Sequence, residues 1–247
     1  FCEYCYLQTT LGPKPALRVY VNIDEILAQA QEYIAERAPQ LTVFEGAATS
    51  DPIPTEYLTG SLQRSIEFFA DTDLGRFRFV TKFSDVDSLL NTDHNGHSEI
   101  RFSLNTQKII GQYERGTASL KSRIEAAHKI ALAGYPLGFL LAPIILYDNW
   151  KEHYRMLISD LAEALSGISK PSFELITHRF TKRAKANIER VFPTSTLPMQ
   201  EEERQFKFGQ FGYGKYVYPK ETMEEIRDFF EEQIGQSFPQ SEIKYLV

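Results

Sequence analysis

Residues 99–146, EIRFSLNTQKIIGQYERGTASLKSRIEAAHKIALAGYPLGFLLAPIIL, decide the fold class. They open on a strand-like run, Glu99 to Leu104. Arg101 and Ser103 share one face of it, and Phe102 and Leu104 the other. A helical run follows from Ser119 to Leu132, with Thr117 as its expected cap and Gly134 as its stop. Leu137 to Leu146 is then almost wholly apolar, as a strand covered on both faces is. A strand, a long crossover helix and a second strand make a right-handed parallel unit.

The same alternation extends outward on both sides. Upstream lie a strand at Leu41 to Phe44 and a helix at Pro54 to Phe69 with proline at an early position. A strand at Arg76 to Thr81 (RFRFVT) and a short helix at Asp85 to Leu90 come next. Downstream lie a helix at Asn149 to Leu165, a strand at Ser172 to Thr177 and a helix at Thr181 to Val191. About five such repeats predict an α/β chain with a parallel sheet curled into an incomplete or full β/α barrel. Its active site is expected at the C-terminal ends of the strands.

The last sixty or so residues break the pattern. Gln205 to Tyr218 (QFKFGQFGYGKYVY) sets aromatics on both sides of Gly209, Gly212 and Gly214, which reads as a β-hairpin with a flexible tip. Glu221 to Glu232 is an acidic amphipathic helix. The expected division is residues 1–195 as the barrel and 196–247 as a hairpin and helix packed on it.

Composition narrows the function classes. The chain of 247 residues is 43% hydrophobic and 24% charged, with a formal net charge of −6. That is an ordinary globular balance, and the wrong sign for a protein that grips nucleic acid through overall charge. A nucleic-acid role must rest on a local patch or on base recognition. The apolar run Pro136 to Tyr147 is too short to span a bilayer and contains Pro143, so no membrane role and a cytoplasmic location are expected. The chain starts at Phe1 rather than at methionine, which suggests a sequence that begins partway into a longer protein.

Both cysteines fall in the first five residues, as Cys2-Glu3-Tyr4-Cys5. A disulfide scaffold is excluded. A bare CxxC is compatible with half a zinc site, a redox pair or a cluster loop. Zinc needs two more ligands, for which His94 and His97 (HNGH) are the candidates. A thioredoxin-like pair precedes a helix directly, whereas Gly12 and Pro13 follow here.

CysTyrLeuGln (5–8) sets an aromatic directly after the last cysteine, which resembles the radical S-adenosylmethionine (SAM) signature CxxxCxxC. The first cysteine of that signature would fall before Phe1. CEYCYLQTTLG (2–12) and FEGAATSDP (44–52) resemble the spore photoproduct lyase family of DNA-repair enzymes; the segments 114–135 and 208–218 fit the same family. The resemblance implies a partial (β/α)6-type radical SAM barrel with a C-terminal β-hairpin and helix. It implies a [4Fe–4S] cluster on Cys2, Cys5 and a third thiolate, with one iron left open for SAM. The implied substrate is 5-thyminyl-5,6-dihydrothymine in damaged DNA, split to two thymines after a 5′-deoxyadenosyl radical takes a hydrogen from C6. An electron donor such as flavodoxin or ferredoxin is implied as a partner, and the spore core or germinating cell as the place.

The family's hydrogen-donor cysteine belongs at position 48, where this chain has Ala48. Alanine offers no weak bond to hydrogen, so impaired donation is expected, and an engineered replacement is the simplest explanation. Tyr4 and Tyr6 are expected in radical relay, with Tyr6 also touching SAM. Ser50, Lys82, Ser103 and Ala142, at or near strand ends, are the other expected SAM contacts; a surface, capping or core role is the alternative for each. Arg101 shares the Ser103 face and is a lesser candidate for ligand contact, with an ion pair to Glu99 or Glu114 as its alternative. On the hairpin, Tyr213 with Gly212 is the expected lesion contact. Arg179, Lys182, Arg183, Lys185 and Arg190 face one acid, Glu189, in the most basic stretch, where Lys182 and Arg183 are expected to meet phosphates. His128 and His153 are assigned no chemistry.

Overall fold

A computed structural model of the chain describes residues 2–5, 16–47, 49–168, 170–208, 212 and 214–247. Helix α1 (Ile23–Arg37) leads into strand β1 (Thr42–Gly46). Helices α2 (Ile53–Thr59) and α3 (Ser61–Ala70) connect it to β2 (Gly75–Thr81). Strand β3 (Ser98–Leu104), helices α4 (Gln107–Tyr113) and α5 (Leu120–Leu132), and strand β4 (Leu137–Ile144) follow. Then come α6 (Trp150–Ala164), β5 (Ser172–Thr177) and α7 (Lys182–Val191). The hairpin β6 (Gln205–Phe208) and β7 (Gly214–Val217), helix α8 (Lys220–Ser237) and β8 (Glu242–Leu246) complete the order.

The six strands β1-β2-β3-β4-β5-β8 form one sheet whose neighbours are all parallel, curled as a half-barrel. Strand alternation gives the sheet two unlike faces. Phe102, Phe139 and Phe173 lie in register on the face covered by helices, Phe79 lies on the same face, and all four are fully buried there. Glu45, Arg78, Arg101 and Glu174 lie on the opposite face, in the lumen, where charged groups survive only by pairing. Arg101 reaches across neighbouring strands to Glu174 at 2.9 Å on one side and to Glu45 on the other. Arg78 pairs with Glu45 at 2.8 Å, and the Tyr245 hydroxyl donates to Glu174 at 2.6 Å. Gly138 makes this bridge possible, since a Cβ there would meet Arg101 Cγ at 2.7 Å.

Several local expectations change. The helix expected from Pro54 to Phe69 is two helices, because Gly60 takes a left-handed φ of 60° between them. Glu56 then caps the second, accepting from the Leu62 and Gln63 amides at 2.8 and 2.9 Å. Asp85 to Leu90 holds only a 3-10 turn at Asp87–Leu89. Ser119, not Thr117, caps α5, accepting from the Ser122 amide at 3.1 Å. Arg101 pairs with neither Glu99 nor Glu114, since the lumen brings Glu45 and Glu174 to it. His94 and His97 point at the Ala133 and Phe69 carbonyls, and the described residues contain no group of three metal-ligating side chains.

Candidate functional site

The cysteine turn docks at the mouth of the half-barrel, on the segment that follows β3. Cys2 forms an antiparallel bridge with Glu114, and the Glu3 amide donates to the Tyr113 carbonyl at 2.8 Å. The Cys5 amide returns to the Cys2 carbonyl at 3.1 Å, so both half-buried thiols belong to one tight turn. Burial pushes the Cys2 thiol up, while the Lys82 charge pulls it down. A metal centre would supply the positive charge that a thiolate needs here. The two cysteines fit two corners of a cluster, and the sequence contains no third.

Tyr4 carries the turn into a buried polar network. Its hydroxyl donates to Glu114 Oε1 and accepts from Lys82 Nζ at 2.5 Å. Lys82 Nζ also reaches Glu114 Oε1 at 2.7 Å. Arg123, fully buried, donates to Glu114 Oε2 at 2.6 Å, to Thr117 Oγ1 at 2.7 Å and to the Ser103 and Ala118 carbonyls at 2.8 and 3.0 Å. Burial raises the Glu114 carboxyl pKa, but Lys82 and Arg123 outweigh it and hold the group below its ordinary value. Burial and the Glu114 charge together drive the Tyr4 phenol well up.

Asp51 joins the loop after β1 to the end of β2. Its carboxylate accepts from the Lys82 amide at 2.7 Å, from Thr81 Oγ1 at 3.1 Å and from the Ile53 amide at 3.2 Å. Ser50 is exposed beside it, its amide bonded to the Ala47 carbonyl at 3.0 Å. Asn105 joins the ends of β3 and β4 in the same way. It donates to the Pro143 carbonyl at 2.7 Å and accepts from the Tyr154 hydroxyl at 2.8 Å. Ser103 is buried on β3, and Ala142, half-buried on β4, precedes a cis bond to Pro143.

Cys2, Tyr4 and Lys82 therefore come together, Cys5 belongs to the same turn through its amide bond to the Cys2 carbonyl, and Ser50 directly precedes Asp51, which accepts from the Lys82 amide. Ser103 joins through the Arg123 contact to its carbonyl. Tyr6, Ala48 and Tyr213 lie outside the described residues. Lys182 and Arg183 stand apart on α7. The acid Glu201 lies 3.6 Å from both Lys182 and Lys185, so the basic stretch is less bare than its own sequence implies. Gly212 takes a left-handed φ of 75° in the hairpin connection. Glu114, Arg123, Asp51 and Asn105 are the site residues that sequence reasoning missed. Arg123 leaves one visible signal, a charge on the otherwise apolar stripe of Leu120, Ile124 and Ala127.

A family model described as spore photoproduct lyase matches residues 1–247. The spore photoproduct lyase of Clostridium acetobutylicum is 50% identical over 246 residues, a match covering 100% of this chain and 73% of the relative. That of Bacillus subtilis strain 168 is 49% identical over 248 residues, covering 100% of this chain and 72% of the relative. Among solved structures, a double mutant of spore photoproduct lyase with bound AdoMet and dinucleoside spore photoproduct superposes with a TM-score of 0.95 at 50% identity. A spore photoproduct lyase complexed with dinucleoside spore photoproduct also gives 0.95, at 49% identity. Each covers 100% of this chain, which covers 73% of theirs. No described helix is long and apolar enough to cross a membrane. A full-length match to the family model and half-identity to its curated members together establish that this chain belongs to the spore photoproduct lyase family.

Proposed function

We propose that the chain binds SAM and the spore photoproduct and carries out radical cleavage of that lesion in DNA. The observation that carries this reading is the seat of the cysteine turn, tied through Tyr4 to Lys82 at the C-terminal end of β2. A cluster held by Cys2, Cys5 and a third thiolate would, with SAM bound, supply the 5′-deoxyadenosyl radical. Lys82, Ser50, Ser103, Ala142 and Tyr6 orient SAM at the strand ends. Tyr4 and Tyr6 return the radical. Tyr213 and Gly212 hold the lesion, Lys182 and Arg183 take phosphates, and an electron donor such as flavodoxin or ferredoxin serves as reductant in the cytoplasm or spore core.

Ala48 sets the limit of this chemistry. After the methylene bridge breaks, the thymine allyl radical needs a hydrogen atom, and a methyl C–H bond is too strong to give one. The test uses the reconstituted holoenzyme, SAM and a lesion dinucleotide under reducing, oxygen-free conditions. The parent chain should release 5′-deoxyadenosine with little clean thymine, and Ala48→Cys should restore thymine as the product. Clean catalytic turnover by the alanine form would refute the donor assignment; no 5′-deoxyadenosine with lesion present would refute the substrate.

A further inference from the structure

Lys82 ties together two parts of the site. Its ammonium holds the cysteine turn through Tyr4 and Glu114, and its backbone amide donates to Asp51 Oδ2 at 2.7 Å. Its carbonyl accepts from the Ala118 amide at 3.1 Å, so the residue is itself fixed from three sides. Asp51 is thereby joined to the cysteine turn across a single residue. In sequence it stands three places after position 48, where the hydrogen donor belongs.

The chain is held on both sides of that position. The register of β1 with β2 ends at Gly46, opposite Phe79. A Cβ at Gly46 would lie 2.5 Å from the Phe77 ring, so glycine lets the strand leave the sheet close over that ring. Ala47 then takes a left-handed φ of 57°, and its carbonyl accepts from the Ser50 amide at 3.0 Å. Such strain lasts only where the surroundings over-determine the backbone. Asp51 supplies that constraint. Beyond the last β1–β2 pair, its carboxylate collects the Lys82 amide, the Thr81 hydroxyl and the Ile53 amide. A carboxylate accepts on both oxygens, whereas a carboxamide would turn an NH2 group toward one of these donors. Hydrogen return needs such fixing. An S–H bond breaks, a C–H bond on the thymine radical forms, and a misplacement of about 1 Å costs on the order of a hundredfold in rate.

We propose that Asp51 is a positioning residue for hydrogen return, holding the loop after β1 in register with the cysteine turn through Lys82. This rests on the lyase reading and on the donor's place at position 48. The test compares the Ala48→Cys holoenzyme with the same chain carrying Asp51→Asn, Asp51→Ala or Thr81→Val, each given SAM and the lesion dinucleotide under reducing, oxygen-free conditions. The reading is the ratio of thymine to 5′-deoxyadenosine, which a loss of folded or SAM-bound enzyme alone leaves unmoved. Asp51→Asn and Asp51→Ala should lower that ratio about 10- to 100-fold, as the thymine radical is diverted to other products. Thr81→Val, which removes one of the three bonds, should lower it less and carries the test if the Asp51 variants do not fold. A ratio that stays the same, whether both yields fall or neither does, overturns the proposal. An Ala48→Cys chain that forms no 5′-deoxyadenosine overturns the lyase reading, and one that forms it without thymine overturns the donor's place; the role of Asp51 falls with either.

Discussion

Glu114 accepts a 2.6 Å hydrogen bond from the Arg123 guanidinium, and neither side chain has any solvent exposure. The pair joins the segment that receives Cys2 to the helix behind β3. Removing one member of a buried ion pair costs about 3–5 kcal/mol, because the other charge is stranded. Arg123→Met should lower unfolding stability by that order in denaturant titrations, and a loss under about 1 kcal/mol would contradict this account. The pair also sets an acid limit. A carboxyl held below its usual value stabilises the fold above its unfolded pKa, and that contribution disappears as pH falls through the folded one. Glu114 is such a group, so stability should begin to fall below about pH 4.5 in the parent and fall less steeply there in Glu114→Gln.

His178 gives a second pH signature, at the end of β5. Burial first, and the neighbouring Arg204 second, push its imidazole pKa down to about 3. The unfolded chain takes up a proton near pH 6.5 that the folded chain refuses. Stability is therefore complete above that value and declines as pH falls toward about 3, by about 1.4 kcal/mol per pH unit. His178→Leu should flatten this slope between pH 6 and 4. In the parent, an imidazole proton resonance for His178 that titrates near pH 6 would contradict the assignment.

Gly138 can be tested by the smallest possible addition. A methyl group there would lie 2.7 Å from Arg101 Cγ and 3.0 Å from Ser172 Oγ. Arg101 cannot withdraw without leaving Glu45 and Glu174. Gly138→Ala should cost about 1–3 kcal/mol, in the range of overpacked interiors, with no change in the denaturant slope. An unshifted midpoint would mean that the strand moves aside freely.

The basic helix α7 makes a salt-dependence prediction. Lys182 and Lys185 share Glu201, and Arg183, Asn187 and Arg190 line a groove at helical spacing. Each phosphate contact adds about 0.9 to the slope of log affinity against log salt. Arg183→Gln and Lys182→Gln should each reduce that slope by about one. Anisotropy titrations with lesion duplex over a range of salt measure both. Equal slopes for parent and Arg183→Gln would remove α7 from the interface.

The parallel sheet was legible because the strand runs are short and each is separated from the next by a helical period. The hairpin was legible from glycines set among aromatics. Other elements left a fainter trace. Gly60 lies inside the run read as one helix, and only Glu56 reaching past it shows that the chain restarts there. Strand β8 mixes exposed and half-buried residues, and its pairing with β5 is decided from far away in the chain. The candidate site divides along the same line. Lys82 stood out at a strand end, but its partners did not, because Tyr4 is 78 residues from it in sequence. Contacts of that range follow from the curl of the sheet and leave no local spacing to read.

The lumen carboxylate of Glu174 has a consequence for the folding chain. Tyr245, which donates to it, arrives from 71 residues away, on the strand that covers the outer edge of β5. Long-range closures of this kind are slow beside the local crossovers that assemble the rest of the sheet. Until β8 docks, β5 is an open edge, a ready template for a neighbouring chain. A charge pointing inward from such an edge discourages that pairing. The carboxylate that ties Arg101 and Tyr245 in the finished barrel is thus also an inward charge on the strand that β8 must cover last.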